Sequence, residues 1–182
     1  MSSSLIGLLR AAALGLLASA FGDAALAQRV DTKASELMFV TRMMGVPVEG
    51  RFERWDAQVR FDPRQPAAAH VALRIDTGSA TFASAEVGAE AQRAVWFDSA
   101  QFRDARFESN ALTALDGGRY ALSGRLTLKG RTRDLVVPIV LARNGDAGTA
   151  SGSFAVRRLD FGIGEGEWSD PSLVAAEVQV RF

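Results

Sequence analysis

An all-β antiparallel fold of about eight strands with one short helix is what this 182-residue chain predicts. Three observations carry that expectation. Glycine and proline punctuate the chain at short intervals, and between them the apolar residues alternate, the period-two signature of a strand with one buried face. A single alanine-rich stretch without proline, between Phe82 and Trp96, departs from that rhythm.

Leu37, Phe39, Thr41 and Met43 lie on one side of the first strand, and Gly45 and Pro47 end it. Phe52 belongs to the next strand, whose inward set resumes at Ala57, Val59 and Phe61, with Asp62-Pro63 as its stop because proline cannot donate to a ladder. Val71, Leu73, Ile75 and Thr77 alternate in the third. The alanine-rich stretch then reads as the helix: Ser84 is its N-cap, and Val87, Ala91 and Val95, four residues apart, share one helical face. Phe102 to Asn110 is a short strand before the Asp116-Gly117-Gly118 turn. Tyr120, Leu122, Gly124, Leu126 and Leu128 alternate up to the hairpin signal Lys129-Gly130. Leu135 to Arg143, the Asn144-Gly145-Asp146 turn, Ser151 to Arg158, and the alternating Val174, Ala176, Val178, Val180 and Phe182 complete the count. Such strands build an antiparallel barrel or a sandwich.

Residues 1–27 read as an address and 28–182 as one domain. Arg10, the apolar run Ala11 to Phe21 and the small-residue site Ala25-Leu26-Ala27 have the layout of a secretory signal peptide. The expectation is cleavage after Ala27 and a periplasmic mature chain. Composition is ordinary for a globular domain, with 48% hydrophobic and 23% charged residues. The formal net charge of zero gives no electrostatic reason to expect nucleic acid as a partner. The chain has no cysteine, which excludes a disulfide scaffold, a thiolate metal site and a cysteine nucleophile. A zinc site built on several histidines is excluded as well, since His70 is the only one, and it reads as a surface residue opening a strand.

Five passages, in order, resemble one known family. Met43-Met44-Gly45-Val46-Pro47-Val48-Glu49-Gly50-Arg51-Phe52 resembles its H-M-G-V-x-x-x-G-x-F stretch, and Phe61-Asp62-Pro63 its F-D-P. Trp96-Phe97-Asp98 followed by Phe107-Glu108-Ser109 resembles F-F-D and F-x-S. Gly124-Arg125-Leu126-Thr127-Leu128-Lys129-Gly130 resembles G-x-L-T-I-x-G, and Leu159-Asp160-Phe161-Gly162-Ile163-Gly164 resembles S-D-F-G-I-G. The family is the YceI-like proteins, and the resemblance runs from about Val30 to Phe182. It implies an eight-stranded antiparallel, lipocalin-like barrel with one short helix beside it. It also implies an isoprenoid lipid, polyprenyl or quinone, in the interior, and no other cofactor. The family often carries His-Ser near the first strand, a histidine before Met-Gly and an Arg-Asp-x-His-Leu motif at the helix. This chain has Ala34-Ser35, Met43 and Val87-Gly88-Ala89-Glu90-Ala91 there, which favours an uncharged lipid over a pyrophosphate head.

On this reading the barrel lining is Leu37, Phe39, Val59, Phe61, Leu73, Ile75, Leu122, Leu126, Ile139, Phe154, Val178 and Val180. Periodicity alone leaves open whether these side chains fill the barrel or line a cavity, since both share one alternation. Val87, Ala91, Trp96, Phe97 and Trp168 are the candidates for its mouth, with packing of helix on barrel as the plainer role. The partner expected is an isoprenoid lipid, with a membrane redox component as a further candidate, and the protein as monomer or homodimer. Two rival functions stand beside lipid binding. One is an envelope hydrolase or isomerase using the carboxylates of Glu165, Glu167 and Asp170, against which stands the absence of a nucleophile motif around them. The other is a non-catalytic accessory to a membrane redox complex, which a large exposed apolar patch would favour.

Overall fold

The computed structural model describes residues 28–62, 64–144 and 147–182. The expected leader, Pro63 and the Gly145-Asp146 pair of one expected turn lie outside the described residues. The strands are β1 (Gln28–Arg29), β2 (Met38–Met43), β3 (Val46–Phe52), β4 (Trp55–Arg60), β5 (His70–Asp76), β6 (Ala80–Phe82), β7 (Asp104–Ala114), β8 (Arg119–Leu128), β9 (Arg131–Asn144), β10 (Ala147–Ser151), β11 (Ser153–Arg157) and β12 (Glu177–Arg181). One helix, α1 (Ala85–Ala91), lies between β6 and β7.

The eleven segments β2 to β12 fall on eight courses because three courses bend. β3 runs through Glu53-Arg54 into β4, and the facing course runs from β5 through a turn at Thr77–Ser79 into β6. The two bends are stitched together: Glu53 N donates to Ser79 O, Arg54 N to Ser79 Oγ, and Asp76 N to Arg54 O. β10 continues into β11 across Gly152, which exchanges both main-chain hydrogen bonds with Phe182 at 3.1 Å. Every neighbouring pair of courses is antiparallel, from β2 with β3, around through β4/β5, β7, β8, β9 and β10/β11, to β12. β12 then pairs with β2, so two curled sheets, β1-β4-β5-β7-β8-β9-β10 and β11-β12-β2-β3-β6, are joined through the bent courses into one barrel-like wall. The barrel reading is borne out over the sandwich, and β1 adds a short outer pair on β4.

The turn chemistry is as read. Met44 and Gly45, and again Lys129 and Gly130, have positive φ at both central positions, the two-residue hairpin geometry that matches strand twist. Several elements differ from the sequence reading: the strand expected over Ser151 to Arg158 starts at Ala147, bends at Gly152 and gives Arg158 to the loop, and Thr77 leaves the third strand for a turn. Pro47 does not end a strand but sits inside β3 opposite Arg42, above the three-residue ladder with β6, where β3 has β2 on one side only. β7 runs on to Ala114 because a bulge at Asn110 absorbs the slip in register with β8. The last strand starts at Glu177 instead of Val174, since the carbonyls of Val174 and Ala175 are taken by the Arg158 side chain; Val174 keeps a single bridge to Met43. Ser84 does cap α1, accepting from Val87 N, but the helix stops at Ala91 and Val95 lies beyond it. There the chain coils into tight turns, with Phe97 N donating to Ala91 O and Asp98 N to Arg93 O.

Two buried clusters lie on the inner face of the wall. Leu37, Ile75 and Ala105 form one, and Phe107, Leu122 and Val137 the other. Two inward glycines shape the wall: a Cβ on Gly50 would stand 2.4 Å from Phe39 Cζ, and one on Gly124 2.5 Å from both Phe107 Cζ and the Glu108 carbonyl. Each phenyl ring therefore lies over the bare backbone of the adjoining strand, along the wall.

Candidate functional site: the barrel interior and its cap

Register decides which residues share the inner face. Ile75 pairs with Trp55 and Ala105, Leu73 with Ala57 and Phe107, and Val71 with Val59. Leu126 lies opposite Phe107, Leu122 opposite Val137, and Ile139 opposite Tyr120. Phe154 faces Val180, Val180 faces Phe39, and Val178 faces Val156. Leu37 anchors one core cluster, and Phe61 lies just past the end of β4, edge-on to Tyr120 at 5.9 Å. All the residues expected to line the barrel thus fall on or beside one inner surface.

Burial along that surface is uneven. Leu37, Phe39, Ile75 and Leu122 are buried, while Val59, Leu73, Leu126, Ile139, Phe154, Val178 and Val180 face inward and still keep part of their surface accessible. Leu135, Leu112, Val71 and Phe182 behave the same way. Most of these inward apolar side chains pack against the two buried clusters while staying half-buried themselves. Phe107, Val137, Leu112 and Leu135 belong to this wall, and the alternation in β7 and β9 carried the signal for them.

The two ends of the barrel are built differently. At one end stand the β2–β3 hairpin, α1 with the turns after it, the β8–β9 hairpin and the loop from Arg158 to Ala176. Four rings meet beneath this cap: Phe39 lies 5.0 Å from Phe52, 5.5 Å from Phe82 and 6.2 Å from Phe97. Trp96 and Trp168 pair above them at 5.7 Å. The residues expected at a mouth do gather here, with Ala91 buried and Val87, Trp96, Phe97 and Trp168 half-buried. They pack as a closure, Phe97 reaching the interior rings. Trp55, by contrast, packs against the Leu37 cluster. His70 opens β5 and is half-buried.

Two cations that sequence reasoning missed hold the cap. Arg158 is 3% exposed. Its Nε donates to Ala175 O at 3.0 Å, Nη1 to Ile163 O and Gly164 O, and Nη2 to Trp168 O and Val174 O. All five acceptors are main-chain carbonyls. Burial makes its charge costlier and lowers its pKa, and the full set of charge-assisted bonds offsets that cost. A Cβ on Gly164 would lie 2.5 Å from Arg158 Nη1 and 2.8 Å from Trp96, which fixes glycine at that place. Lys129 Nζ donates to Ala94 O at 2.7 Å and Gly162 O at 2.8 Å, tying the hairpin to both loops, and burial lowers its pKa too. The visible signal was a basic residue directly before a glycine-rich run.

Two polar atoms under this cap are buried with no hydrogen-bond partner: Trp96 Nε1 and Thr41 Oγ1. Leaving such a group unpaired costs about 1–3 kcal/mol.

The acidic loop has the character of a solvated surface. Glu165 pairs with Arg131 at 2.8 Å, with both side chains about half exposed, and Glu167 is exposed. Asp170 accepts from Ser172 N, and its hydrogen bonds to Ser172 hold its carboxyl below the usual range. A raised carboxyl pKa, which a general acid needs, is not what this environment gives Asp170. Among the described residues no group of three or more His, Cys, Asp or Glu is placed to hold a metal ion. Exposed apolar side chains occur at the cap rim, Met44 at 70%, Val46 at 63% and Leu173 at 37%, and on the outer face of β9 at Val136 and Val140.

Curled antiparallel sheets wrapped into a barrel-like wall, with an apolar inner face and one structured end, make this a lipocalin-like fold. Within that class the chain belongs to the YceI-like domain family, which matches residues 28–182. It is similar to a UPF0312 protein of Enterobacter sp. (strain 638), 30% identical over 173 residues that make up 90% of this chain and 88% of that one. Among solved structures it is similar to BcnA of Burkholderia cenocepacia, with a TM-score of 0.82 and 36% identity over 84% of this chain and 96% of that chain. A polyisoprenoid binding domain from Saccharophagus degradans, implicated in plant cell wall breakdown, shares the fold with a TM-score of 0.68 at 16% identity, covering 85% and 94% of the two chains.

Proposed function

We propose that this barrel binds the hydrocarbon chain of an isoprenoid lipid in its interior and works as a carrier or store in the bacterial envelope, without catalysis. The observation that carries the reading is the inner wall itself: apolar side chains from every course face inward, and many keep accessible surface. The phenyl rings laid over Gly50 and Gly124 support it, because they keep bulk at the wall and away from the axis. Burying a few hundred Å² of isoprenoid stabilises a complex by several kcal/mol at roughly 25 cal/mol per Å², before the cost of association. The polyisoprenoid binding described for the Saccharophagus neighbour, on the same fold, supports the choice of ligand. The leader-like sequence of residues 1–27 supports export to the periplasm with cleavage after Ala27.

The test is native mass spectrometry and solvent extraction of mature protein purified from a bacterial periplasm. The expected result is a stoichiometric isoprenoid species on a chain that begins at Gln28. A clean extract, together with failure to take up added isoprenoids, overturns the reading and turns attention to the acidic loop. Exchange with a membrane redox component is the second reading. The exposed tip of Met44 and Val46, with Leu173 beside it, favours it, since Met44 N is bonded to Leu173 O and the three side chains share one rim.

A further inference from the structure

We propose that the outer face of β7, β8 and β9, at the end of the barrel away from the cap, is an interface on which a second copy of this chain packs about a two-fold axis. The inference goes beyond the ligand reading and does not depend on it. Among the described residues six large apolar side chains are exposed, and they fall into two groups: Met44, Val46 and Leu173 at the cap rim, and Leu115, Val136 and Val140, at 51%, 59% and 46%, on this outer face. Register sets the second group in order. Val136 shares a row with Ser123 and Ala111, and Val140 shares one with Arg119 and Leu115, whose N–H donates to Arg119 O. Pro138, Ala121 and Thr113 make the row between them. Leu112, Leu122 and Val137 alternate with these positions and belong to the core, so the three rows point outward. Arg119 is the one charged residue in them. The next row towards the cap is Glu108, Arg125 and Asp134, so an uncharged field adjoins a charged one on the same sheet. An apolar centre beside a polar rim is the anatomy of a protein interface.

A second copy is the occupant because the face is complementary to itself. A two-fold axis lying in the face along the middle row reverses the strand direction, so each outer row meets the opposite row of the other copy. Val136 of one copy then meets Val140 of the other, and Leu115 meets Ala111. Ala111 follows the bulge at Asn110, where a cleft lined by Asn110, Ser123 and Val136 gives the leucine a hollow to enter. Charge matches as well. Within one copy the Arg119 side chain bonds only the Asp116 carbonyl, and Asp134 is in no ion pair among the described residues. The same axis brings Arg119 over Ser123, one row from Asp134, and sets Arg125 over the Asp116 turn, so opposite signs face each other at both ends. Three strands about 4.8 Å apart and five rows about 6.8 Å apart span roughly 500 Å² of flat face before side chains roughen it. That is near the roughly 600 Å² a side at the lower limit of stable interfaces, which makes the dimer a weak and reversible one.

The experiment is sedimentation equilibrium of the mature protein over about 1 to 300 µM, where a monomer–dimer equilibrium with a dissociation constant on the order of 10 µM is expected. Val136→Glu and Val140→Lys each change an exposed side chain, so thermal unfolding of either variant at low concentration should match wild type. Each should weaken dimerisation by about tenfold or more, because a charge is then held against an apolar partner. Since Val136 meets Val140 across the axis, an equimolar mixture of the two variants should associate to within about threefold of wild type, through a Glu–Lys contact that neither variant can make alone. Met44→Glu, on the cap rim, should leave the equilibrium unchanged. A monomer throughout the range overturns the inference. So does a dimer that ignores Val136→Glu and Val140→Lys, one that Met44→Glu dissociates, or a mixture that associates no better than the single variants.

Discussion

At the capped end, main-chain carbonyls that no strand can satisfy converge on Arg158 and Lys129, and four phenyl rings close the space below. At the other end Leu115 to Gly118 turns β7 into β8, and the inner wall finishes in half-buried apolar residues: Phe61 against Tyr120, with Leu112, Val71 and Ile139 on the same face. The first end is costly to build, because a long loop carries polar backbone inward and needs buried cations to answer it. The second has no buried cation among its described residues, and its interior side chains on the ladders of β4, β5, β7, β8 and β9 are mostly apolar. Charge and hydrogen bonds organise the cap, and area of contact organises the opposite end. Each end should therefore fail in its own way.

Removing Arg158 should have the largest effect. Arg158→Ala leaves the carbonyls of Ile163, Gly164, Trp168, Val174 and Ala175 without their donor inside the cap. The expected loss is about 3–5 kcal/mol in denaturant unfolding, the scale for breaking a buried charged network. Hydrogen exchange should rise in the Arg158–Ala176 loop and around Trp96, and stay slow in the ladder of β8 with β9. Arg158→Lys should recover only part of the loss, because a point ammonium cannot reproduce a planar fork that reaches five carbonyls. Uniform loosening of both ends would break the comparison.

Most of the barrel was legible in the chain, as were the side chains that gather at the cap, but not the contacts that build the cap. Alternation placed Leu73, Ile75, Leu122 and Val180 on one face because strand parity is a local property, fixed by the pleat. Met44-Gly45 and Lys129-Gly130 announced their hairpins because positive φ at both positions narrows the choice of residue. The cap depends on contacts between segments remote in sequence. Lys129 meets Ala94 across 35 residues, and Arg158 takes Val174 off the ladder, so the periodic run from Val174 overstates the last strand. Val95 matched the helical spacing of Val87 and Ala91, yet the chain leaves the helix to send Phe97 inward. Pro47 looked like a stop because proline cannot join a two-sided ladder, and which part of β3 has two neighbours is decided only when the wall is assembled.

The apolar end offers a sharper contrast of stability with binding. Phe61 is half-buried and makes one edge-on ring contact, so Phe61→Ala should cost about 1–2 kcal/mol, less than a fully buried phenylalanine. Phe97→Ala, at the cap side, should cost more, since its ring meets both Phe39 and Phe52. If the lipid chain runs the length of the barrel, Phe61→Ala should weaken isoprenoid uptake by about fivefold to tenfold in a fluorescence competition assay, out of proportion to its small structural cost. A variant that loses stability without losing uptake would confine the ligand to the capped half.

The smallest effect should come from the outside of the wall, at the same height as the cap. There Asp104 accepts from Arg74 at 2.9 Å and lies 3.4 Å from Arg106, with both arginine side chains mostly in solvent. The hydrogen bond from Arg74 is the main reason its carboxyl is held below the usual range. A carboxylate whose folded pKa is lowered contributes stability that is fully present above the unfolded value and is lost as pH falls through the folded one. The contribution should therefore hold at neutral pH and fade below about pH 4, near the ordinary aspartate pKa. Solvent screening keeps it small, on the order of 0.5 kcal/mol. Asp104→Asn should accordingly melt within a few degrees of wild type at pH 7 in thermal unfolding, and the gap between the two should close as the pH is lowered and as salt is added. A gap at pH 7 comparable to that of Arg158→Ala would mean that ion pairs on the outer face, and not the buried cations, hold this end of the barrel together.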